Sequence, residues 1–345
     1  MWSTVRITQS LKLLSRPNQF RRFCTRVPEV DSNPKSTKDG SDQNESAASD
    51  SVQQVNILVE KMADITLIGL NKPRIRNAIN VAMGKELTAA IEAFEEDDSA
   101  SVGVLYGIGG SFCSGYDLSE LANPDINPQS VVLQPGGVMG PTRRNFKKPM
   151  VCAIEGYCVA GGMELALMCD LRVMEEQAVM GLYNRRFGVP LVDGGTVRLP
   201  AIIGLSRALD LILTGRAVRA KEALEMGLVN RVVAVGTGVG QAYNLASSIA
   251  KYPQICLRHD RNSVYHSLFD AKSFEEAMEF EVLSADQKLL AEAVYGATRF
   301  KEGLGKGGKF HDIKVKFIPE WEKSEIAHEQ QLEKFRDKKR NKPKD

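Results

Sequence analysis

Twice between residues 102 and 170 the chain runs a short apolar strand into a turn of small residues, and no other feature limits the possible folds as much. The first segment is Gly107-Ile-Gly-Gly-Ser-Phe-Cys-Ser-Gly115-Tyr-Asp117-Leu, after an apolar strand at 102–106. The second is Lys148-Pro-Met-Val-Cys-Ala-Ile-Glu-Gly156-Tyr-Cys-Val-Ala-Gly161-Gly162-Met-Glu164-Leu, which holds a strand at 150–154 and opens a helix. A strand ending in such a turn leaves backbone N–H groups without internal partners, and a helix N-terminus adds positive potential to them. Two such turns meeting at one point would hold an oxyanion. Read singly, the glycines have a plainer use: close packing of a helix on a sheet at Gly161-Gly162, and a turn at Gly115.

The pattern around these segments alternates strand and helix. Residues 55–59 and 64–70 alternate apolar and polar side chains and read as a hairpin. Residues 80–95 carry helical spacing at Met83, Leu87, Ile91 and Phe94, with Asn80 available as a cap. A helix follows at 162–168 and a strand at 171–174; from about Ser206 the pattern is mostly helical, at 206–213, 220–226 and 240–251. Strands and helices joined by short turns predict an α/β domain.

Composition excludes several classes. At 345 residues, 43% of them hydrophobic, the chain is long enough for one large domain or two small ones. No uninterrupted apolar run reaches the ~18 residues of a membrane span. The formal charge of +2 is local: residues 1–28 hold six basic and no acidic side chains. Taking six from the 45 basic residues leaves 39 against 43 acidic ones, a mildly acidic body that speaks against nucleic acid. Six cysteines show no CxxC pair, which indicates a reducing compartment without a disulfide framework.

The Arg-rich, acid-free N-terminus, with Val5, Leu11, Leu13 and Leu14 spaced among Arg6 and Lys12, predicts a mitochondrial presequence over 1–28 and a matrix location. A disordered basic tail is the alternative. Residues 29–52 are rich in Ser, Asp, Asn and Lys and read as a disordered linker. The folded core is expected over 53–260, a helical region over 261–318, and a charged tail over 319–345.

Other motifs fail on inspection. Gly303-Leu-Gly-Lys-Gly-Gly308-Lys309 has phosphate-loop spacing, but Phe310 stands where a hydroxyl must hold magnesium and no strand precedes it. Gly236-Thr-Gly238 lacks the third glycine of a dinucleotide fingerprint. The four histidines form no HExxH or clustered set, and there is no GxSxG elbow. A metal, a nicotinamide cofactor and a serine nucleophile therefore lose their support in the sequence.

The two glycine segments instead resemble, in order, the hallmarks of the enoyl-CoA hydratase/isomerase (crotonase) superfamily. Asn71-Lys-Pro-Arg-Ile-Arg76-Asn-Ala78 resembles its N-terminal segment, Phe112-Cys-Ser-Gly115-Tyr-Asp117-Leu its F-x-x-G-x-D-L turn, and Lys148 through Asp170 its K-P…G-G-G-x-E-L…C-D stretch. Ala160 stands in place of the first of the three glycines. Gly194-Gly-Thr-Val-Arg198-Leu-Pro, Leu213-Thr-Gly215 and 220–229 resemble the downstream helices, so the likeness spans about 55–310.

That resemblance implies an α/β fold: a crotonase-like spiral of ββα units with a C-terminal helical trimerisation region, in a homotrimer or dimer of trimers. It also implies an acyl-CoA thioester as substrate, with no cofactor beyond the coenzyme A the substrate carries. The oxyanion donors would be the main-chain N–H groups of Tyr116 and Gly161, where a Tyr does no harm because the donor belongs to the backbone. Coenzyme A would run along Arg76–Ala78 and along Ser114, Tyr116, Asp117 and Leu118, with Arg76 nearest the phosphates.

Hydratases of the family use two glutamates. Glu164 matches the first; it would activate water for addition to Cβ of a 2-enoyl-CoA or shuttle a proton for isomerisation, and burial would raise its pKa. The second aligns with Asn184, an amide that exchanges no proton near neutral pH. Asn184 would then orient water or bond an acyl substituent, and Asp193 is a candidate for the missing carboxylate. Rival readings are an isomerase, decarboxylase or hydrolase working on Glu164 alone, and a non-catalytic acyl-CoA- or RNA-binding member.

Overall fold

In the computed structural model, which describes residues 55–132, 136–305 and 307, the chain opens on the antiparallel pair β1 (Ile57–Met62) and β2 (Ile65–Leu70). Helix α1 (Val81–Glu96), strand β3 (Val102–Gly107) and the short helices α2 (Leu118–Leu121) and α3 (Pro128–Val132) follow. Next come β4 (Met150–Ile154), β5 (Tyr157–Val159), α4 (Gly161–Met168), β6 (Leu171–Glu175) and β7 (Val179–Gly181). The rest is α5 (Gly195–Ile203), α6 (Leu205–Thr214), β8 (Val218–Arg219), α7 (Ala220–Glu225), β9 (Arg231–Val233), α8 (Gly238–Ala250), α9 (Gln254–Phe269), α10 (Phe274–Leu283) and α11 (Gln287–Glu302). The presequence, the linker and the charged tail read from the sequence lie outside the described residues.

Strands β2, β3 and β4 are buried from end to end because they are covered on both faces. Ile65, Leu67, Val102, Val104, Val151 and Ala153 pack beneath α8, against Ala242, Leu245 and Ala246. The alternate positions, among them Ile68, Leu105 and Ile154, pack with Met83, Leu87, Ile91 and Phe94 of α1. The two-residue period of a strand thus feeds two apolar layers at once, as parallel sheets require.

The six-stranded sheet runs β1-β2-β3-β4-β6-β9, parallel from β2 onward, and the second sheet runs β5-β7-β8. Each strand of the first sheet from β3 to β6 is followed by a residue or strand of the second. Cys113 bridges to Cys158, β4 leads to β5, and β6 leads to β7. Strands β4 and β6 thus extend the first sheet in parallel as β5 and β7 extend the second, and β8 closes the second sheet antiparallel to β7. Strands β5, β7, β8 and β9 have two or three residues each, too short to register a period in the sequence.

The two ends of α1 are tied by side chains. The Asn80 side chain accepts the N–H of Met83 at 3.0 Å, the expected cap. At the other end, buried Lys148 donates to the carbonyls of Phe94 at 3.0 Å and Asp97 at 2.6 Å. Lys148→Met is expected to strand those acceptors and cost about 1–3 kcal/mol, read as a lower denaturant midpoint. A midpoint equal to that of the unmodified chain would show that water replaces the ammonium.

Helices α9, α10 and α11 carry no buried residue, and Val264, Phe274, Val282, Leu283, Val294 and Phe300 are exposed on them. Among the described residues no helix is long and apolar enough to cross a membrane.

Candidate active site

The two glycine turns are laced directly to each other. The N–H of Cys113 donates to Tyr157 O at 2.9 Å and that of Val159 to Cys113 O at 3.0 Å. An added Cβ at Gly162 would strike the Cys113 carbonyl, and one at Gly115, where φ is +101°, would lie 3.0 Å from the Gly161 nitrogen. Only glycine permits so close an approach with that backbone conformation. Bonds on either side leave Tyr116 between them: Ile79 N–H donates to Gly115 O at 2.9 Å and Asp117 N–H to Ile79 O at 2.8 Å. The N–H of Tyr116 itself has no partner among the described residues. Gly161 opens α4, where no helical carbonyl reaches its N–H.

Tyr116 and Gly161 line one cavity of about 710 Å³, counting its open mouth. Glu164, Asn184, Asp193, Ser114 and Leu118 line the same space. Its walls are otherwise mostly apolar, with Leu121, Val138, Met139, Phe187, Val189 and Val192 among them. Of the residues singled out in the sequence, Arg76, Ala78 and Asp117 do not line it. Exposed Arg76 lies over the Tyr157 ring at 4.7 Å, and its carbonyl accepts the N–H of Ser114 at 2.9 Å. Asp117 caps α2, accepting from Ser119 N–H at 3.1 Å. Asn77, passed over in the sequence, is fully buried and donates to the carbonyls of Ile108 at 3.0 Å and Ser111 at 2.7 Å. It fastens the 71–78 segment to the first glycine turn.

Two carboxyl groups sit at the closed end, each 1% exposed. Glu164 Oε1 accepts the N–H groups of Asp193 at 3.1 Å and Gly195 at 2.9 Å. Burial, and then the charge of Asp193, push Glu164 up to about 8. Burial also raises Asp193, whose Oδ1 accepts the N–H of Met139 at 3.1 Å and the hydroxyl of Thr142. Thr142 and Met139 lie more than fifty residues before Asp193, in a segment without periodic pattern, so no signal in the sequence pointed to them. Asn184 sits in the 3-10 turn Tyr183–Phe187, more than nine-tenths buried, and its Oδ1 finds no partner.

A family model described as enoyl-CoA hydratase/isomerase matches residues 60–307. The chain belongs to the enoyl-CoA hydratase/isomerase family. A probable enoyl-CoA hydratase of Rhizobium meliloti is 34% identical over 248 residues, covering 72% of this chain and 93% of that protein. A mouse protein, enoyl-CoA hydratase domain-containing protein 2, mitochondrial, is 37% identical over 201 residues, covering 57% of this chain and 67% of its own length. The crystal structure of an enoyl-CoA hydratase from Mycobacterium tuberculosis matches with a TM-score of 0.63 and 33% identity, over 71% of this chain and 96% of that one. The fold is accordingly the α/β spiral of ββα units implied by the motifs. Membership of the enoyl-CoA hydratase/isomerase family implies an acyl-CoA thioester as the bound substrate.

Ala160 departs from the glycine of the family motif and keeps the glycine conformation, at φ 53° and ψ −131°. Its own N–H donates to Gly181 O at 2.8 Å, which holds the strained residue in place. Ala160→Gly is expected to stabilise the protein by about 1–3 kcal/mol, read as a rise in thermal midpoint. An unchanged or lower midpoint would show that the greater freedom of glycine in the unfolded chain outweighs the relieved strain.

Proposed function

We propose that this chain is a mitochondrial enoyl-CoA hydratase-like enzyme, adding water to a 2-enoyl-CoA or removing it from the 3-hydroxyacyl-CoA. The observation that carries the reading is a single cavity lined by Tyr116 and Gly161, whose N–H groups have no partner among the described residues, together with the buried carboxyl of Glu164. The thioester oxygen lies against the two N–H groups, and the first turn of α4 favours the negative charge it gains as the enolate forms. Glu164 exchanges a proton with the substrate, and its pKa near 8 keeps both protonation states accessible near neutral pH. Met139, Val138 and Leu121 give the acyl group an apolar bed. No cofactor enters apart from the coenzyme A of the substrate itself.

Six basic and no acidic residues in 1–28 support a presequence and a matrix location. The mitochondrial designations of relatives from Dictyostelium and mouse support the same reading. The apolar side chains left exposed on α9, α10 and α11 are covered in a homotrimer or dimer of trimers.

The purified protein is expected to hydrate a short 2-enoyl-CoA, read as loss of the absorbance of the conjugated thioester. A product with a shifted double bond would make it an isomerase. Tight acyl-CoA binding without turnover of any enoyl thioester would reduce it to a binding protein.

A further inference from the structure

We propose that Asp193, rather than residue 184, is the second carboxyl that exchanges a proton with the substrate beside Glu164. This rests on the hydratase reading above.

The two side chains are held alike. Glu164 is fixed through Oε1 by two main-chain N–H groups, and Asp193 through Oδ1 by the Met139 N–H and the Thr142 hydroxyl. Neither Glu164 Oε2 nor Asp193 Oδ2 has a partner among the described residues, and neither is among the fully enclosed atoms left without one. Both residues line the cavity that Tyr116 and Gly161 line. Each carboxyl is thus anchored by one oxygen and keeps the other for the cavity. The main-chain bond from Asp193 to Glu164 sets the spacing of the pair.

Asn184 fits this division. A carboxylate there would place a third negative group in the same closed space, and each added like charge opposes ionisation of the others. The neutral amide avoids that. Other charged groups facing the pair are Arg198, whose Nη1 donates to Asp193 O at 3.2 Å, and Arg143, whose Nη1 donates to Val192 O at 2.9 Å. Neither makes an ion pair with either carboxyl, and burial raises both acids above their usual range.

In hydration, the Asp193 carboxylate takes a proton from water as the water oxygen bonds to Cβ. The Cα=Cβ electron pair forms the Cα=C bond of the enolate, and the carbonyl pair moves onto the thioester oxygen, held by the N–H groups of Tyr116 and Gly161. The Glu164 carboxylic acid then gives its proton to Cα as that charge returns, and the proton on Asp193 passes back to Glu164. One water is consumed and no oxidant or reductant is needed.

Asp193→Asn in the full chain is the test, because an asparagine Oδ1 still accepts from Met139 and Thr142 but carries no exchangeable proton. The expected result is a kcat on 2-enoyl-CoA lowered roughly 10²–10⁴-fold, with KM unchanged. The acid limb of the pH profile, which reports protonation of Asp193, is lost. Thr142→Val breaks the same anchor and keeps the carboxyl, so its acid limb should persist whatever its kcat. Full activity and an intact acid limb in D193N would overturn the proposal and leave the hydratase reading standing. So would loss of the acid limb in T142V, since it would make the anchor rather than the carboxyl its source. An unmodified chain that hydrates no enoyl thioester would overturn both.

Discussion

Glu164→Gln is expected to lower the hydration rate roughly 10²–10⁴-fold while leaving acyl-CoA affinity within a few-fold of its original value. Glutamine fills the same volume, and its Oε1 still accepts the N–H groups of Asp193 and Gly195, so the closed end of the cavity keeps its shape. What disappears is the proton. The same substitution has a stability signature with a definite sign. In the folded chain Glu164 holds its proton up to about pH 8, whereas the unfolded chain releases it near pH 4.3. Between those values the folded state binds the extra proton, so the stability it supplies is complete below about pH 4 and is lost as pH rises towards 8. Glutamine does not titrate, and the variant should therefore gain on the unmodified chain across that window. Thermal midpoints measured from pH 5 to 9 check this. Parallel curves would mean that Glu164 titrates normally, and full activity of E164Q would remove it from the chemistry.

Gly115→Ala is expected to act on the oxyanion donors rather than on the carboxyls. A Cβ there would lie 2.9 Å from the Ala160 Cβ and 3.0 Å from the Gly161 nitrogen, both on backbone that cannot easily retreat. Ala160 is held by Gly181, and Val159 by Cys113. The φ of +101° adds strain of about 1–3 kcal/mol for any residue with a side chain. The turns are forced apart, and losing one aligned donor costs roughly 10²–10³ in kcat. Steady-state kinetics together with a thermal melt separate the two parts. A variant that melts lower but turns over normally would show that the two turns do not act on the same atom.

The residues that build the floor of the site were legible because their signals are local. Asn80 caps α1, the short apolar runs at 102–106 and 150–154 are the buried strands β3 and β4, and the turn glycines stand where a Cβ would strike main chain. The roof was not. Asp193 meets Thr142 across 51 residues and Met139 across 54, and such contacts leave no periodicity. Pro200 inside α5 argues locally against a helix because it lacks an N–H, yet α5 packs on α4 and α6 and persists. Residues of the motif also serve structure. Lys148 ends α1, Asp117 caps α2, and neither lines the cavity.

The carbonyl stretch of a bound acyl-CoA, labelled with ¹³C at the thioester carbon and read by difference infrared spectroscopy, reports on the Tyr116 and Gly161 N–H groups directly. If both point at the thioester oxygen, the band moves to lower frequency than in water, and Gly115→Ala abolishes most of that shift. A band at its aqueous position in the unmodified protein would mean that the thioester binds elsewhere, and no role for either N–H group would survive it.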